Sequence, residues 1–248
     1  LKDESERNLE QFARNTFNQP FALTNYLCHV SKKNKFLYVE TPKVACTSVK
    51  RVLQEAELGE SIKYENPGDV HNRELSPLMR PSDELATFGR SLVGSEYFRF
   101  CFVRNPFTRV LSCYLDKMVK VEYERRRLAP KLGFDPDVVP TFLEFLEAVS
   151  KQSESEYDIH WAPQTYLLRP NRVHYSFVGR FELFGSHFEM LCMRLGIRGA
   201  ERVSSSWHAT NAYGKVERYF DTQCVDLVCE IYESDFRNFG YGWSPEII

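Results

Sequence analysis

The sequence predicts an α/β fold: a central, mainly parallel sheet flanked by helices. Three observations carry that prediction. Phe36, Leu37, Tyr38 and Val39 form a short apolar, β-rich run closed off by Pro42, and Val49, Val52, Leu53 and Ala56 follow at the i, i+3, i+4, i+7 spacing of one helix face. Residues 98–103 are apolar except for Arg99. After them come Asn105-Pro106, a good N-cap with proline at the first helical position, and a helical face of Val110, Leu111, Tyr114, Leu115 and Met118. Residues 174–181 (HYSFVGRF) repeat the strand signal, and Phe188, Leu191 and Leu195 repeat the helical one. Strand, tight loop and helix in that order form the repeating unit of a parallel sheet.

The remaining elements fall into place around these. Residues 1–34 are polar with scattered aromatics and are read as a peripheral segment wrapping the surface. Thr47 or Ser48 is the expected N-cap of the first helix, and Gly59 its C′ residue. Residues 60–80 carry proline and glycine with little periodicity and read as a loop, or as a strand and a loop, containing His71. Ser82 is the expected cap of a short helix bearing Leu85, Phe88 and Leu92. Arg125, Arg126 and Arg127 read as a solvated helix face or as contacts to an acidic acceptor, and Pro130, Gly133 and Pro136 as a mobile loop. Thr141 and Glu144 spell a capping box ahead of Phe142, Phe145, Leu146 and Val149. Ser186 and Glu189 cap a helix that Gly196 ends, and a last helix with Val225, Val228, Cys229 and Tyr232 on one face ends near Gly240.

The chain of 248 residues is long enough for one large domain, read as a single unit over 1–248 with its core over about 35–245. A hydrophobic share of 43% with 27% charged residues is a globular composition, and no apolar run approaches the ~20 residues of a membrane helix. The polar start, LKDESERNLEQF, is no signal peptide, and the absence of an initial Met fits removal of an upstream anchor or leader. A formal charge of −2 argues against general nucleic-acid binding, so an anionic ligand must be met by local clusters of Arg and Lys. The seven cysteines show no metal-ligand spacing and read as small core residues in a reducing compartment; disulfides among a few of them would fit an oxidising lumen. No metal site is expected, and oligomeric state is left open.

Two junctions carry chemistry. Lys43, Thr47 and Ser48 lie where a helix leaves its first N–H groups unpaired and carries partial positive charge, a setting that stabilises a phosphate. The loop lacks the glycines of a Walker A sequence, and the competing reading is an ordinary junction with a solvated lysine. At the second junction, Arg104 ends a strand while Arg109 and Ser112 lie one to two turns into the next helix. Arginine forks suit phosphate oxygens, and parallel sheets bind ligands at the C-terminal ends of their strands.

Together these stretches resemble the sulfotransferases that use 3′-phosphoadenosine 5′-phosphosulfate (PAPS). TPKVACTSVKRVL resembles their 5′-phosphosulfate loop, FCFVRNPFTRVLSCYLDK their 3′-phosphate motif, and the Pro-Lys-Val-Ala-Cys-Thr wording is most similar to the carbohydrate branch that contains the HNK-1 and chondroitin/dermatan 4-O-sulfotransferases. Weaker likenesses are His160-Trp161 with Pro163 and Gln164, the FVGRFE segment with Arg180 where Lys is common, a late His208/Asn211 loop, and the aromatic ending IYESDFRNFGY, whose rings read as core. The resemblance implies a P-loop-NTPase-like three-layer sandwich and in-line transfer of a sulfuryl group to an acceptor hydroxyl, on a sugar or glycoconjugate, leaving adenosine 3′,5′-bisphosphate. It implies a donor site of Pro42, Lys43, Val44, Ala45, Cys46, Thr47 and Ser48 around the 5′-phosphate, Arg104 and Ser112 on the 3′-phosphate, and Arg180, His208 and Asn211 nearby. Lys43 would stabilise the leaving phosphate, and His71 or, second, His160 would be the base. The compartment implied is the Golgi lumen for a eukaryotic chain, with a type II anchor trimmed, and the cytoplasm for a bacterial one. Two other classes compete: an ATP-dependent small-molecule kinase, against which the missing Walker glycines and the Arg104/Ser112 pair argue, and a catalytically silent nucleotide-binding protein, against which the intact Lys43 argues.

Overall fold

The computed structural model describes residues 4–198 and 211–245, which cluster into two compact units. The first comprises residues 4–41, 45–103 and 168–198, and the second 42–44, 104–167 and 211–245. In chain order the first contains α1 (Glu4–Asn15), α2 (Phe21–Leu27), β1 (Cys28–Ser31), β2 (Phe36–Val39), α3 (Cys46–Leu58), α4 (Leu85–Val93) and β3 (Phe98–Val103). The second follows with α5 (Pro106–Tyr114), which runs on as a π-helix over Leu115–Lys120, then α6 (Glu122–Leu128) and α7 (Phe142–Ser150). The chain crosses back within α8 (Gln164–Leu168), and β4 (Phe177–Arg180) and α9 (Phe184–Leu195) rejoin the first unit. The second closes with α10 (Val216–Tyr219), α11 (Thr222–Ile231) and α12 (Glu233–Phe239).

The α/β class and the mainly parallel sheet are as the sequence predicts. In the first unit the strands lie in the order β1-β2-β3-β4, with β2, β3 and β4 parallel and β1 antiparallel on the edge beside β2. The register pairs Tyr38 with Phe100 and Val103 with Arg180, so β2, β3 and β4 all end at the same end of the sheet. Every residue of β2 is buried, which its unbroken apolar run requires. Arg99, the one charge in β3, is buried too; its guanidinium donates to the carbonyls of His174, Ser91 and Gly94, which is how a strand interior tolerates it.

Several local expectations hold. Asn105 caps α5 by accepting from Phe107 N–H, with Pro106 at the first helical position. Thr141 and Glu144 form the reciprocal capping box of α7. Gly59, Gly196 and Gly240 close their helices with positive φ. Arg126 and Arg127 pair with Glu122 and Glu124 on the exposed face of α6.

Others are corrected. The N-terminal segment is not all peripheral: residues 28–31 (CHVS) form a fully buried edge strand, and His29 is carried inside because Glu40 and Arg73 hydrogen-bond its ring. Neither Thr47 nor Ser48 caps α3; the cap is Ala45 in a left-handed conformation, which puts both hydroxyl residues inside the first turn. α4 begins at Leu85 after Glu84 rather than from Ser82, and α9 begins at Phe184, two residues before Ser186. The final helix is two, broken at Tyr232, and its buried face runs through Cys224, Val228 and Ile231 rather than Val225 and Cys229. The reading of the cysteines as small core residues, by contrast, holds for the five that are buried, Cys28, Cys101, Cys113, Cys192 and Cys224.

Gly179 in β4 lies flat against the Phe102 ring, and that ring is fixed by Phe177, Phe184 and Phe188. A Cβ at residue 179 would overlap it. Gly179→Ala is expected to destabilise the fold by about 1–3 kcal/mol, read as a lower denaturant midpoint with an unchanged m-value.

Candidate active site

The loop after β2 is shaped by two non-glycine residues at positive φ, Lys43 at 69° and Ala45 at 52°. The first helical hydrogen bond of α3 runs from Val49 N–H to Ala45 O, so the N–H groups of Cys46, Thr47 and Ser48 precede the ladder. Thr47 is exposed and Ser48 partly so, which leaves an open helix N-terminus of the kind that stabilises anions. Immediately before the loop, the Thr41 hydroxyl is buried and has no hydrogen-bond partner among the described residues.

In the second unit, residues 42–44 are gripped by two arginines. Arg104 donates through Nη1 to Lys43 O (3.1 Å) and through Nε to Thr108 Oγ1 (3.0 Å). Arg109 is almost fully buried and donates to Pro42 O (3.1 Å), Ala162 O (2.7 Å) and Ile159 O (3.3 Å). Burying a guanidinium costs several kcal/mol unless its donors are used, and here three carbonyls take them. Gln164 fixes the start of α5 by accepting from Arg104 N–H and donating to Arg104 O, each at 2.8 Å. Behind it, the buried Asp235 carboxylate accepts the N–H groups of Gln164 and Thr165, although burial pushes its pKa up.

The Lys43 ammonium reaches Asp116 Oδ2 at 2.8 Å, in the π-helical turn after α5. Burial alone would raise the Asp116 carboxyl, but Lys43 and Lys117 hold it below its ordinary value. Lys117 also pairs with Glu124 at 2.8 Å. His160 stands in the same unit: Nδ1 is 2.5 Å from Asp158 Oδ1, and Lys131 holds the other carboxylate oxygen at 2.7 Å. Burial would raise Asp158, but His160 and Lys131 keep it ionised well below the carboxylate range. An ionised partner fixes the tautomer: Nδ1 carries the proton and Nε2 the lone pair. Burial, with the positive charges of Lys117 and Lys43 adding to it, lowers His160 below its ordinary value in spite of Asp158, so the ring is neutral at pH 7. A neutral, oriented imidazole is a general base.

In the first unit a different set surrounds α3. Lys50 is fully buried and donates to Glu40 Oε1 (2.9 Å), Glu40 Oε2 (2.8 Å) and His71 Nδ1 (2.6 Å). His71 Nε2 lies 3.0 Å from Thr47 Oγ1. His29 Nε2 lies 3.0 Å from Glu40 Oε2, and Arg73 donates to His29 Nδ1 at 2.5 Å. Burial and Arg73 push His29 down to about 3, while Lys50 and His29 hold Glu40 far below its ordinary range against the effect of burial. Glu40, Cys46 and His71 are the one group of metal-ligating side chains brought together among the described residues, and the Lys50 ammonium already supplies the cation there.

The structure thus places Pro42, Lys43 and Val44 with Arg104, Ser112 and His160 in the second unit, where Ser112 is buried in α5. Ala45, Cys46, Thr47, Ser48 and His71 belong to the first. Arg180 ends β4, at the sheet end where β2 and β3 also finish. Asn211 is exposed at φ 44°, and His208 lies outside the described residues. Trp161 and Gln164 are packing residues: the indole stacks edge-on against Phe145 and donates to Gln152. Sequence reasoning missed the role of Arg109 and the partners Glu40, Lys50, Asp116 and Asp158. A signal existed for Lys50, which shares the buried stripe of α3 with Leu53 and Gln54 at i, i+3, i+4.

A lysine at position 109 keeps the charge but not the fork. Arg109→Lys is expected to lower stability by about 2–4 kcal/mol, seen as a fall in melting temperature larger than that of Arg126→Lys on the exposed face of α6.

Three comparisons bear on this arrangement. The model of the sulfotransferase family matches residues 28–242. Carbohydrate sulfotransferase 14 of Danio rerio is 28% identical over 235 residues, covering 86% of this chain and 61% of that protein. Carbohydrate sulfotransferase 14 of Homo sapiens is 34% identical over 165 residues, 62% of this chain and 42% of that protein, and carbohydrate sulfotransferase 12 of Xenopus laevis is 24% identical over 248 residues, with 86% and 59% covered. The chain therefore spans less than two thirds of the length of these relatives. No solved structure gives a significant match. Both strand–loop–helix motifs fall inside the matched span, and the chain belongs to the sulfotransferase family.

Proposed function

We propose that this chain moves a sulfuryl group from PAPS to a hydroxyl of a carbohydrate acceptor. The observation that carries the reading is the hydrogen bond from the Arg104 guanidinium to the carbonyl of Lys43: the two motifs, far apart in sequence, meet. A kinase reading would not need Arg104 at this loop. The relatives bear the name carbohydrate sulfotransferase, which supports a sugar as acceptor.

On sequence likeness, Lys43, Thr47 and Ser48 are assigned to the 5′-phosphate and Arg104 with Ser112 to the 3′-phosphate. Arg180, His208 and Asn211 are assigned to the same donor site on sequence likeness. PAPS brings a sulfuryl group already joined to a good leaving phosphate. His160 Nε2 takes the acceptor proton as the new S–O bond forms, and Asp158 stabilises the imidazolium. Lys43 exchanges Asp116 for the phosphate oxygen on which charge builds as the old S–O bond breaks. His160 is preferred to His71 as base because, among the described residues, its Nε2 meets no hydrogen-bond donor, whereas His71 Nδ1 faces the Lys50 ammonium.

Titration separates the classes: adenosine 3′,5′-bisphosphate is expected to bind at least tenfold more tightly than ATP, and the reverse order would leave a kinase. Transfer of radiolabelled sulfate from PAPS to a panel of oligosaccharides tests the activity itself. Lys43→Ala is expected to lower kcat by about 10²–10³ in a folded protein, and Arg104→Ala to raise the KM for PAPS. His160→Gln is expected to lower kcat by about 10²–10⁴. A base with a lowered pKa loses activity only when acid protonates it, so the acidic limb of the wild-type pH profile should lie below pH ~6.5. A limb well above that value would exclude His160.

A further inference from the structure

Two obligate donors, Lys50 and Arg73, fix hydrogen-bond directions beneath α3. An ammonium can only donate, so the His71 Nδ1 that meets Lys50 at 2.6 Å must carry its lone pair. The proton of the neutral ring is then on Nε2, which donates to Thr47 Oγ1 at 3.0 Å. The other end of the network is locked in the same way. Arg73 can only donate to His29 Nδ1, so His29 Nε2 donates to Glu40, and Glu40 accepts from both His29 and Lys50. Lys50 spends its ammonium on Glu40 and His71 and has no exposed surface. A hydroxyl that already accepts from His71 directs its own hydrogen elsewhere, and Thr47 stands exposed in the first turn of α3, where N–H groups also point outward.

We propose that Lys50, acting through His71, sets the Thr47 hydroxyl as a hydrogen-bond donor to the anion bound at the N-terminus of α3, which makes His71 a positioning residue rather than the base. This rests on the reading of that N-terminus as the 5′-phosphate site. The device is useful because a free threonine hydroxyl can rotate to present either a hydrogen or a lone pair. One held by a donating histidine meets a phosphate only with its hydrogen. Glu40 serves the same end from below, since without it Lys50 would be an unpaired buried charge.

The test compares His71→Leu, His71→Gln and Thr47→Val by calorimetric titration with adenosine 3′,5′-bisphosphate and by the rate of sulfate transfer. His71 is about one third exposed, so its variants are expected to fold, and melting curves check this. His71→Leu and Thr47→Val should each weaken binding by about tenfold, and the double variant should be no weaker than either single one. His71→Gln places an amide N–H where Nε2 stood and should recover most of the lost affinity and rate, although an amide cannot act as a base. Loss of turnover in both His71 variants with unchanged affinity would make His71 the base and overturn the proposal. Independent, additive losses would overturn it as well. Failure of the wild type to bind adenosine 3′,5′-bisphosphate at all would refute the donor-site reading itself and remove the ground on which the relay stands.

Discussion

Two arginine side chains on consecutive turns of one helix region hold a strained loop, and the proposed chemistry depends on that grip. Lys43 and Ala45 sit in left-handed conformations that cost a residue with a Cβ about 1–2 kcal/mol each. Charge-assisted hydrogen bonds from Arg104 and Arg109 to the carbonyls of Lys43 and Pro42 are worth about 1.5–3 kcal/mol each, enough to offset the strain. The same contacts bring Lys43 into the unit that contains Ser112, Asp116 and His160. Arg109 does this without touching solvent, so it is a framework residue that looks, in the sequence, like part of an anion site.

Buried charge recurs as the means of placing functional groups. In the second unit, Asp158 is held ionised by His160 and Lys131 and in turn selects the imidazole tautomer. Asp235 stays satisfied by two backbone N–H groups and fixes Gln164, which fixes Arg104. In the first unit, Glu40, Lys50, His29 and Arg73 lock one another's hydrogen-bond directions beneath α3. Isolated ionised groups at such depth would be prohibitively costly, so each set works only when complete. The π-helical turn at Leu115–Lys120 fits the same logic, since it carries Asp116 to Lys43 and Lys117 to Glu124.

Much of this was legible before any coordinates. The run FLYV, the pair Asn105-Pro106 and the box Thr141/Glu144 each state a local rule that tertiary packing had no reason to override, and each element formed where expected. Errors came where a side chain's fate depends on a distant partner. His29 and Ser31 made CHVS look like surface chain, yet Glu40 and Glu57 hydrogen-bond them inside. Thr47 and Ser48 looked like caps because both are good capping residues, but Ala45 took that position at positive φ.

The sequence by itself determined the α/β class and the two strand–loop–helix motifs, and it offered Lys43, Arg104, Ser112 and two histidines as candidates, because strand and helix periodicity, capping and turn chemistry are properties of neighbouring residues. Only the tertiary structure decided which histidine keeps a lone pair available, that Arg109 faces carbonyls rather than a ligand, and that Lys50 is buried as part of a network. Those are facts of protonation and desolvation, and they follow from the charges and donors that surround a group in space rather than along the chain.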